Sequence, residues 1–223
     1  MKLTGRLVQV TDLLDSERID MFSLMETYYE HTDPSVFEAD LDEKQSVILL
    51  QDPSDRVVHG FSTQMTLDLV IDGQSVRALF SGDTIVNHKH RAHNPLAQIW
   101  GQFALSLIDT NRSDHLYWFL MTKGYKTYRF LPVFFREFYP RHDGPTPAWA
   151  SRVIDALGQH KYPTAYNRET GIVHADQFGC RLRPKVAEIT NPRLRNPHVQ
   201  FFIEKNSGHA QGDELCCIAP LTR

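Results

Sequence analysis

Three cysteines in 223 residues, Cys180, Cys216 and Cys217, are too few and too oddly numbered to staple the chain. Vicinal Cys216 and Cys217 are poorly placed to bridge each other, and no C-x2-C pair offers the thiolate spacing of a zinc site. The cysteine usage reads as a reduced, cytoplasmic protein. No apolar run approaches the roughly 18 residues of a spanning helix, and the start of the chain, Met1 to Arg6, lacks the apolar stretch of a signal peptide. An excess of one charge is missing too. The net charge of -3 gives no bulk attraction for nucleic acid or a membrane, so any basic site must be local. The G-x-S-x-G elbow, the P-loop, the dinucleotide fingerprint and H-E-x-x-H are all absent, as are internal repeats.

What is present is ordinary globular material, with 41% hydrophobic and 23% charged residues, enough for one large domain or a core with an appended lobe. Leu7–Val10 reads as a first strand. Asp15 or Ser16 can cap a helix with its stripe at Met21, Leu24, Met25 and Tyr28, and a second short helix follows Asp33-Pro34. Three strands are predicted next, over Ser46–Gln51, Val57–Ile71 and Val76–Val86. Asp72-Gly73 marks the hairpin between the last two. Asn94 as N-cap and Pro95 as first residue open a helix through Leu96, Ile99, Trp100, Phe103 and Leu107. Leu116–Met121 is a buried strand, and an aromatic-dense stretch from Phe130 to Tyr139 ends at Pro140. Arg141–Pro145 is the hinge candidate, dividing a core of residues 1–140 from an extension of 141–223. In the extension, Thr146-Pro147 opens a helix closed by Gly158, Asn196-Pro197 opens another, and Glu214–Ala219 is a terminal strand. A hairpin-built sheet packed by helices means a mixed α/β or α+β fold, mostly antiparallel, and not a doubly wound parallel sheet.

The most informative stretch is Thr84 to Leu96, where a β-branched run ends in a basic, histidine-rich loop that runs into a periodic helix. Backbone amides at a helix start, with Lys89 and Arg91 beside them, make a seat for an anion such as a pyrophosphate. His88, His90 and His93 also suggest three imidazoles around a metal. No carboxylate lies nearby in sequence to complete such a site, so no metal is expected.

The order strand, two helices, three strands with a hairpin, helix, strand resembles the GNAT superfamily of acyl-CoA N-acyltransferases over roughly residues 5 to 140. The family's loop pattern R/Q-x-x-G-x-G/A falls in register with Arg91-Ala92-His93-Asn94-Pro95-Leu96. Arg91 matches, and Asn94 and Leu96 stand where the family has glycines. Val86 occupies the apolar position five before the arginine. The resemblance implies acetyl-CoA or another acyl-CoA as donor, against Ile85, Val86, His88, Lys89, Arg91, His93, Asn94, Leu96 and Ala97. Pro95 has no amide hydrogen and Leu96 adds a side chain, so the seat is expected to differ from the family's in strength or shape. A carrier-protein thioester is the alternative donor.

Acyl transfer to an amine needs a base for the ammonium and an acid for the thiolate. Asp83, beside Ser81 and Gly82 inside a predicted strand, is the base candidate, with Glu137 second. The family's tyrosine position holds Phe135 here, so Tyr139, Tyr125 and Tyr128 are the phenols available as acid. Lys123-Gly124-Tyr125-Lys126 with Arg129 forms a second basic patch, suited to cofactor phosphates, an acyl carrier protein or plain solvent. The sequence therefore reads as an N-acyltransferase acting on a small-molecule amine, with neither nucleic acid nor membrane as partner and a homodimer left open. The competing reading is a catalytically degenerate relative that binds a small acidic ligand or a protein.

Overall fold

Val47, Ile48, Leu49 and Leu50 have no exposed surface, so the strand that carries them is covered on both faces. That strand organises the first of two compact units in this computed structural model, which describes residues 3–111, 115–176 and 179–223. Unit one comprises Met1–Thr66, Leu79–Arg112 and Thr222–Arg223, and unit two comprises Leu67–Ala78 and Ser113–Leu221. The main elements of the first are β1 (Thr4–Gln9), α1 (Asp15–Tyr28), α2 (Pro34–Asp42), β2 (Ser46–Gln51), most of a hairpin from β3 (Val58–Ile71) and β4 (Gln74–Val86), and α3 (Leu96–Thr110). β1 pairs antiparallel with β2 from Thr4↔Gln51 to Gln9↔Ser46, and β2 pairs antiparallel with β3. The strand order is β1-β2-β3-β4.

One face of these strands carries Leu3, Ile48 and Leu50 against Val86 and α3 residues Leu96, Ile99 and Trp100. The other faces α2, where the rings of Phe37 and Phe61 lie 6.4 Å apart. Gly5 lets α3 press close, since a Cβ there would stand 2.4 Å from Ile99 Cδ1 and 3.0 Å from Pro95 Cγ. Glu17 is buried at 4% exposure and fully engaged. It accepts from the Arg6 guanidinium (2.5 Å), from Gln51 Nε2 (3.1 Å) and from the Leu14 amide (3.2 Å), tying the start of α1 to β1 and β2.

The hairpin turn has Asp72 at φ 51° and Gly73 at φ 79°, the pair of left-handed residues that a two-residue turn between twisted strands requires. Its tip belongs to the second unit, where Arg152 Nε reaches Asp72 Oδ2 at 2.7 Å. The main further elements of that unit are β5 (His115–Thr122), α4 (Tyr125–Tyr128), α5 (Phe130–Phe134), α6 (Ala148–Lys161), β6 (Tyr166–Asn167), β7 (Ile172–Val173), α7 (Pro197–Lys205) and β8 (Glu214–Pro220). β8 runs antiparallel to β5, from Leu215↔Thr122 to Pro220↔Tyr117, and to β7 on its other side. Tyr128 is the centre of an aromatic core with Phe138, Phe201 and Phe202, its hydroxyl donated to Pro140 O at 2.9 Å. The fold is thus mixed α/β, its longer strands antiparallel and flanked by helices. Among the described residues, no helix is long and apolar enough to cross a membrane.

Several expected boundaries move. Asp15 and Ser16 lie inside α1 and do not cap it, because the Glu17 carboxylate takes the free amide of Leu14 instead. α3 begins at Leu96, one residue later than expected. Pro95 is the cap residue, and the Asn94 side chain accepts from the Leu96 amide at 3.1 Å. Gly158 does not close α6, which continues to Lys161. It is the point where the Tyr166 ring packs, and a Cβ there would come within 2.5 Å of that ring. Arg141–Pro145 lies inside the second unit, with Arg141 bridged to Gly144 and its guanidinium on the Asp143 carboxylate. The Phe130–Tyr139 stretch contains one short helix, α5, that its unpatterned aromatics did not signal.

Two glycines predict opposite outcomes. Gly158→Ala must displace Tyr166 and is expected to destabilise by about 1–3 kcal/mol. Gly101, inside α3 with open space around it, should gain about 0.5–1 kcal/mol on replacement by alanine. Thermal unfolding of the two variants checks both signs.

The second unit also carries a pH signature. Burial holds His198 and His209 below the ordinary imidazole range, with His142 adding to the effect at His198. The unfolded chain then takes up these protons first, so stability falls as pH drops through about 6.5 and levels off below the native values. Melting curves between pH 7.5 and 5 should show this fall, and His209→Phe should shrink it.

Candidate functional site

A row of polar side chains crosses the α3 face of the β3–β4 hairpin. Trp100 Nε1 donates to Ser81 Oγ (3.1 Å), and Ser81 Oγ donates to Gln64 Oε1 (2.7 Å). Gln64 Nε2 donates to Ser62 Oγ (2.7 Å), which shares a hydrogen bond with Thr84 Oγ1 (2.7 Å). Ser62, Gln64 and Ser81 are at most 3% exposed. Each buried polar group in the row has its partner, as a low-dielectric interior demands.

The row exposes an irregularity in β4. Ser81 and Thr84 are three residues apart, yet both reach the α3 face, which strict alternation forbids. Gly82 lies on the opposite face, where a Cβ would stand 2.6 Å from Thr63 Oγ1 and 3.0 Å from Lys44 Cε. The alternation therefore slips between Gly82 and Thr84, at Asp83. A slip of this kind re-aims the backbone, and bulges of this type concentrate beside functional sites.

Beyond β4 the loop is built by its own side chains. The Asn87 amide donates to His59 O (2.8 Å), while its Oδ1 accepts from the Lys89 amide (3.1 Å). The His88 amide donates to Tyr28 Oη at 2.8 Å. The Arg91 guanidinium lies 5.4 Å from the Tyr28 ring centre and its Nε donates to Val86 O at 3.3 Å. His90 rests against the ring of His59 at 4.9 Å. Asn94 Nδ2 donates to the carbonyls of His90 and Arg91, both at 3.1 Å.

These bonds decide what the loop can offer a ligand. The amides of His88, Lys89, His90, His93 and Leu96 are spent inside the chain, and Pro95 has none. The amides of Ala97 and Gln98, in the first turn of α3, point where the helix dipole favours an anion. Lys89, Arg91 and His93 are exposed around them.

The expected site residues therefore fall into two groups. Asp83, Ile85, Val86, His88, Lys89, Arg91, His93, Asn94, Leu96 and Ala97 all belong to the first unit, along one strand end, loop and helix start. Tyr125, Tyr128 and Tyr139 belong to the second unit. Tyr125 is 2% exposed and Tyr128 wholly buried, and burial pushes the Tyr128 phenol far above the usual range. Tyr139 is half-buried, and burial, then the Glu137 carboxylate that accepts its hydroxyl at 3.3 Å, push its phenol up. Among the described residues, no group of histidine, cysteine, aspartate and glutamate is arranged to hold a metal ion. Reading the sequence for strands missed the polar row, although Ser62, Gln64 and Ser81 inside otherwise apolar strands were its signal.

No family model matches the chain, and no curated protein matches it. Its fold is similar to those of solved N-acyltransferases. One is a conserved protein of unknown function from Enterococcus faecalis V583, termed a probable N-acyltransferase, at 17% identity over 56% of this chain and 31% of that one (TM-score 0.42). A second is a GNAT family N-acetyltransferase from Escherichia coli in complex with CoA, at 15% identity over 54% of this chain and 62% of that one (TM-score 0.39). A third is the ribosomal-protein-alanine N-acetyltransferase of Brucella melitensis biovar Abortus 2308, at 15% identity over 66% of this chain and 97% of that one (TM-score 0.44). The chain thus spans less than two thirds of the length of the first two.

The polar row makes a stability prediction. Ser81→Ala leaves both Trp100 Nε1 and Gln64 Oε1 without their shared partner and should cost about 1–3 kcal/mol. Thr84→Val, at the more open end, should cost about 1 kcal/mol or less. Chemical denaturation of the two variants measures the difference.

Proposed function

We propose that this chain transfers an acyl group from an acyl-CoA thioester to the amine of a small molecule. The observation that carries the reading is the slip at Asp83 in a strand that leads through a basic loop into a helix start. Such a strand re-aims its backbone beside the basic loop, where an amide can meet a thioester carbonyl. Arg91, Lys89 and the amides of Ala97 and Gln98 are the groups we assign to the CoA pyrophosphate. Asp83 would take a proton from the acceptor ammonium, the amine would form the new C–N bond, and the C–S bond would break. The departing thiolate takes up one proton from solvent, to which Asp83 returns the proton it gained, so the transfer balances. Acetyl-CoA, a longer acyl-CoA and a carrier-protein thioester share this chemistry.

A second reading has its own support. So many loop amides are consumed internally that the donor seat is poorer than a glycine-lined one, which suits a protein that binds an anion without turning it over. Isothermal titration with acetyl-CoA, a longer acyl-CoA and CoA separates the outcomes. The transferase reading expects saturable heat, a loss of about tenfold in affinity on Arg91→Ala, and an Asp83→Asn variant that binds but does not consume thioester. Binding without thioester loss in any amine mixture selects the second reading. No heat with any of the three ligands sinks both the transferase and its pyrophosphate seat.

A further inference from the structure

We propose that Tyr28 is the positioning residue of the anion seat: its hydroxyl fixes His88 as an Nε2–H donor and its ring carries the Arg91 guanidinium. The inference rests on the proposed pyrophosphate seat and brings into it a residue of α1, far from the loop in sequence. Tyr28, His88 and Arg91 all belong to the first unit.

Tyr28 is the last residue of α1 and ends its buried stripe, after Met21, Leu24 and Met25. An apolar side chain would satisfy that stripe, and the phenol fills the position at 7% exposure. Its oxygen does what a leucine could not. The His88 amide donates to it at 2.8 Å, and His88 Nδ1 lies 3.3 Å from it. α1 is itself anchored at its start, where Glu17 accepts from Arg6, Gln51 and the Leu14 amide. The hydroxyl is therefore a fixed point against which the loop is set.

One proton decides the tautomer of His88. The Tyr28 oxygen already accepts from the His88 amide, and its own O–H has one acceptor among the described residues, His88 Nδ1. A buried hydroxyl that spends its proton this way requires Nδ1 to be bare. Neutral His88 then carries its proton on Nε2. The other tautomer would aim two donors at one oxygen and strand the hydroxyl proton. His88 is exposed, so the ring edge away from Tyr28 is the one open to a ligand, beside exposed Lys89 and Arg91.

The phenol ring does the second task. The Arg91 guanidinium lies 5.4 Å from its centre, and Arg91 Nε donates to Val86 O at 3.3 Å. These contacts hold the inner edge of the guanidinium and leave its two terminal nitrogens without a carboxylate among the described residues. One side chain of α1 thereby sets an imidazole N–H and a guanidinium fork. Two such donors fit an oxyanion with several oxygens, such as a diphosphate, and replace amides consumed within the loop.

Isothermal titration of the full chain with inorganic pyrophosphate and with CoA, joined to nitrogen–proton NMR of the imidazoles, tests this. In the unliganded wild type at about pH 8, where an ordinary imidazole is neutral, His88 is expected as the Nε2–H tautomer. Tyr28→Phe keeps the ring under Arg91 and removes the hydroxyl, so the His88 tautomers should mix and both ligands should weaken about fivefold. Tyr28→Leu removes the ring as well and should weaken them further, with thermal unfolding run beside each variant to confirm folding. In a His88→Ala background Tyr28→Phe should cost less than it does alone, a coupling that a merely structural tyrosine would not show. An Nδ1–H tautomer in the wild type, or a Tyr28→Phe variant that binds both ligands as the wild type does, overturns the proposal. Loss of affinity in Arg91→Ala with none in Tyr28→Phe spares the seat and removes Tyr28 from it. Binding that responds to Tyr28→Phe while no amine mixture consumes a thioester keeps Tyr28 and removes the transfer. No heat from the wild type with either ligand removes the seat and this inference together.

Discussion

Alternation is the constraint on which the first unit depends. A strand covered on both faces commits each side chain to one layer or the other, and β4 obeys this up to Ser81 and again from Thr84. Between them the chain changes step, and the polar row from Trp100 to Thr84 is the bonding that holds the two segments in their new phase. Gly82 is required there because the opposite face is filled by Thr63 and the buried Lys44 side chain, whose ammonium is paired with Asp40 at 2.7 Å. The irregularity is thus enforced from both sides of the strand, which fixes the backbone where it enters the basic loop.

The loop beyond it shows how one set of residues serves two ends. Asn87, Tyr28 and Asn94 close the turns that a glycine-rich sequence would make with bare backbone. Rigidity gained this way consumes the amides that a phosphate would otherwise use. Charge on exposed Lys89 and Arg91 is what remains available to an anion, together with the first turn of α3. Recognition in such a seat leans on side-chain charge and is therefore more sensitive to salt than a cradle of amides.

Much of this architecture was legible in the sequence, for physical reasons that differ by element. Ser46–Gln51 matched its predicted span because a short apolar run between turn signals has few alternatives, and Asp72-Gly73 announced a turn that needs two left-handed residues. The caps of α2 and α7 followed from Asp33-Pro34 and Asn196-Pro197, whose side chains accept the first free amides as expected. The misses are contacts over long distance. Nothing near Gly158 reveals that Tyr166 will lie on it, and nothing near Leu14 shows that Glu17 will be drawn in by Arg6 and Gln51. For the candidate site, composition revealed the basic loop and Asp83. The slip itself became visible only when hydrogen bonds placed Ser81 and Thr84 on one face.

The pairing of β5 with β8 also sets how this chain meets electrophiles. Cys216 and Cys217 are sealed at 1% and 0% exposure, and burial drives both thiols far from ionisation. Cys180 alone retains solvent contact. An alkylating reagent therefore marks a single sulfur while the second unit is closed. Each additional adduct records a moment when the terminal strand had let go, so the mass of the labelled chain acts as a clock for opening of that edge.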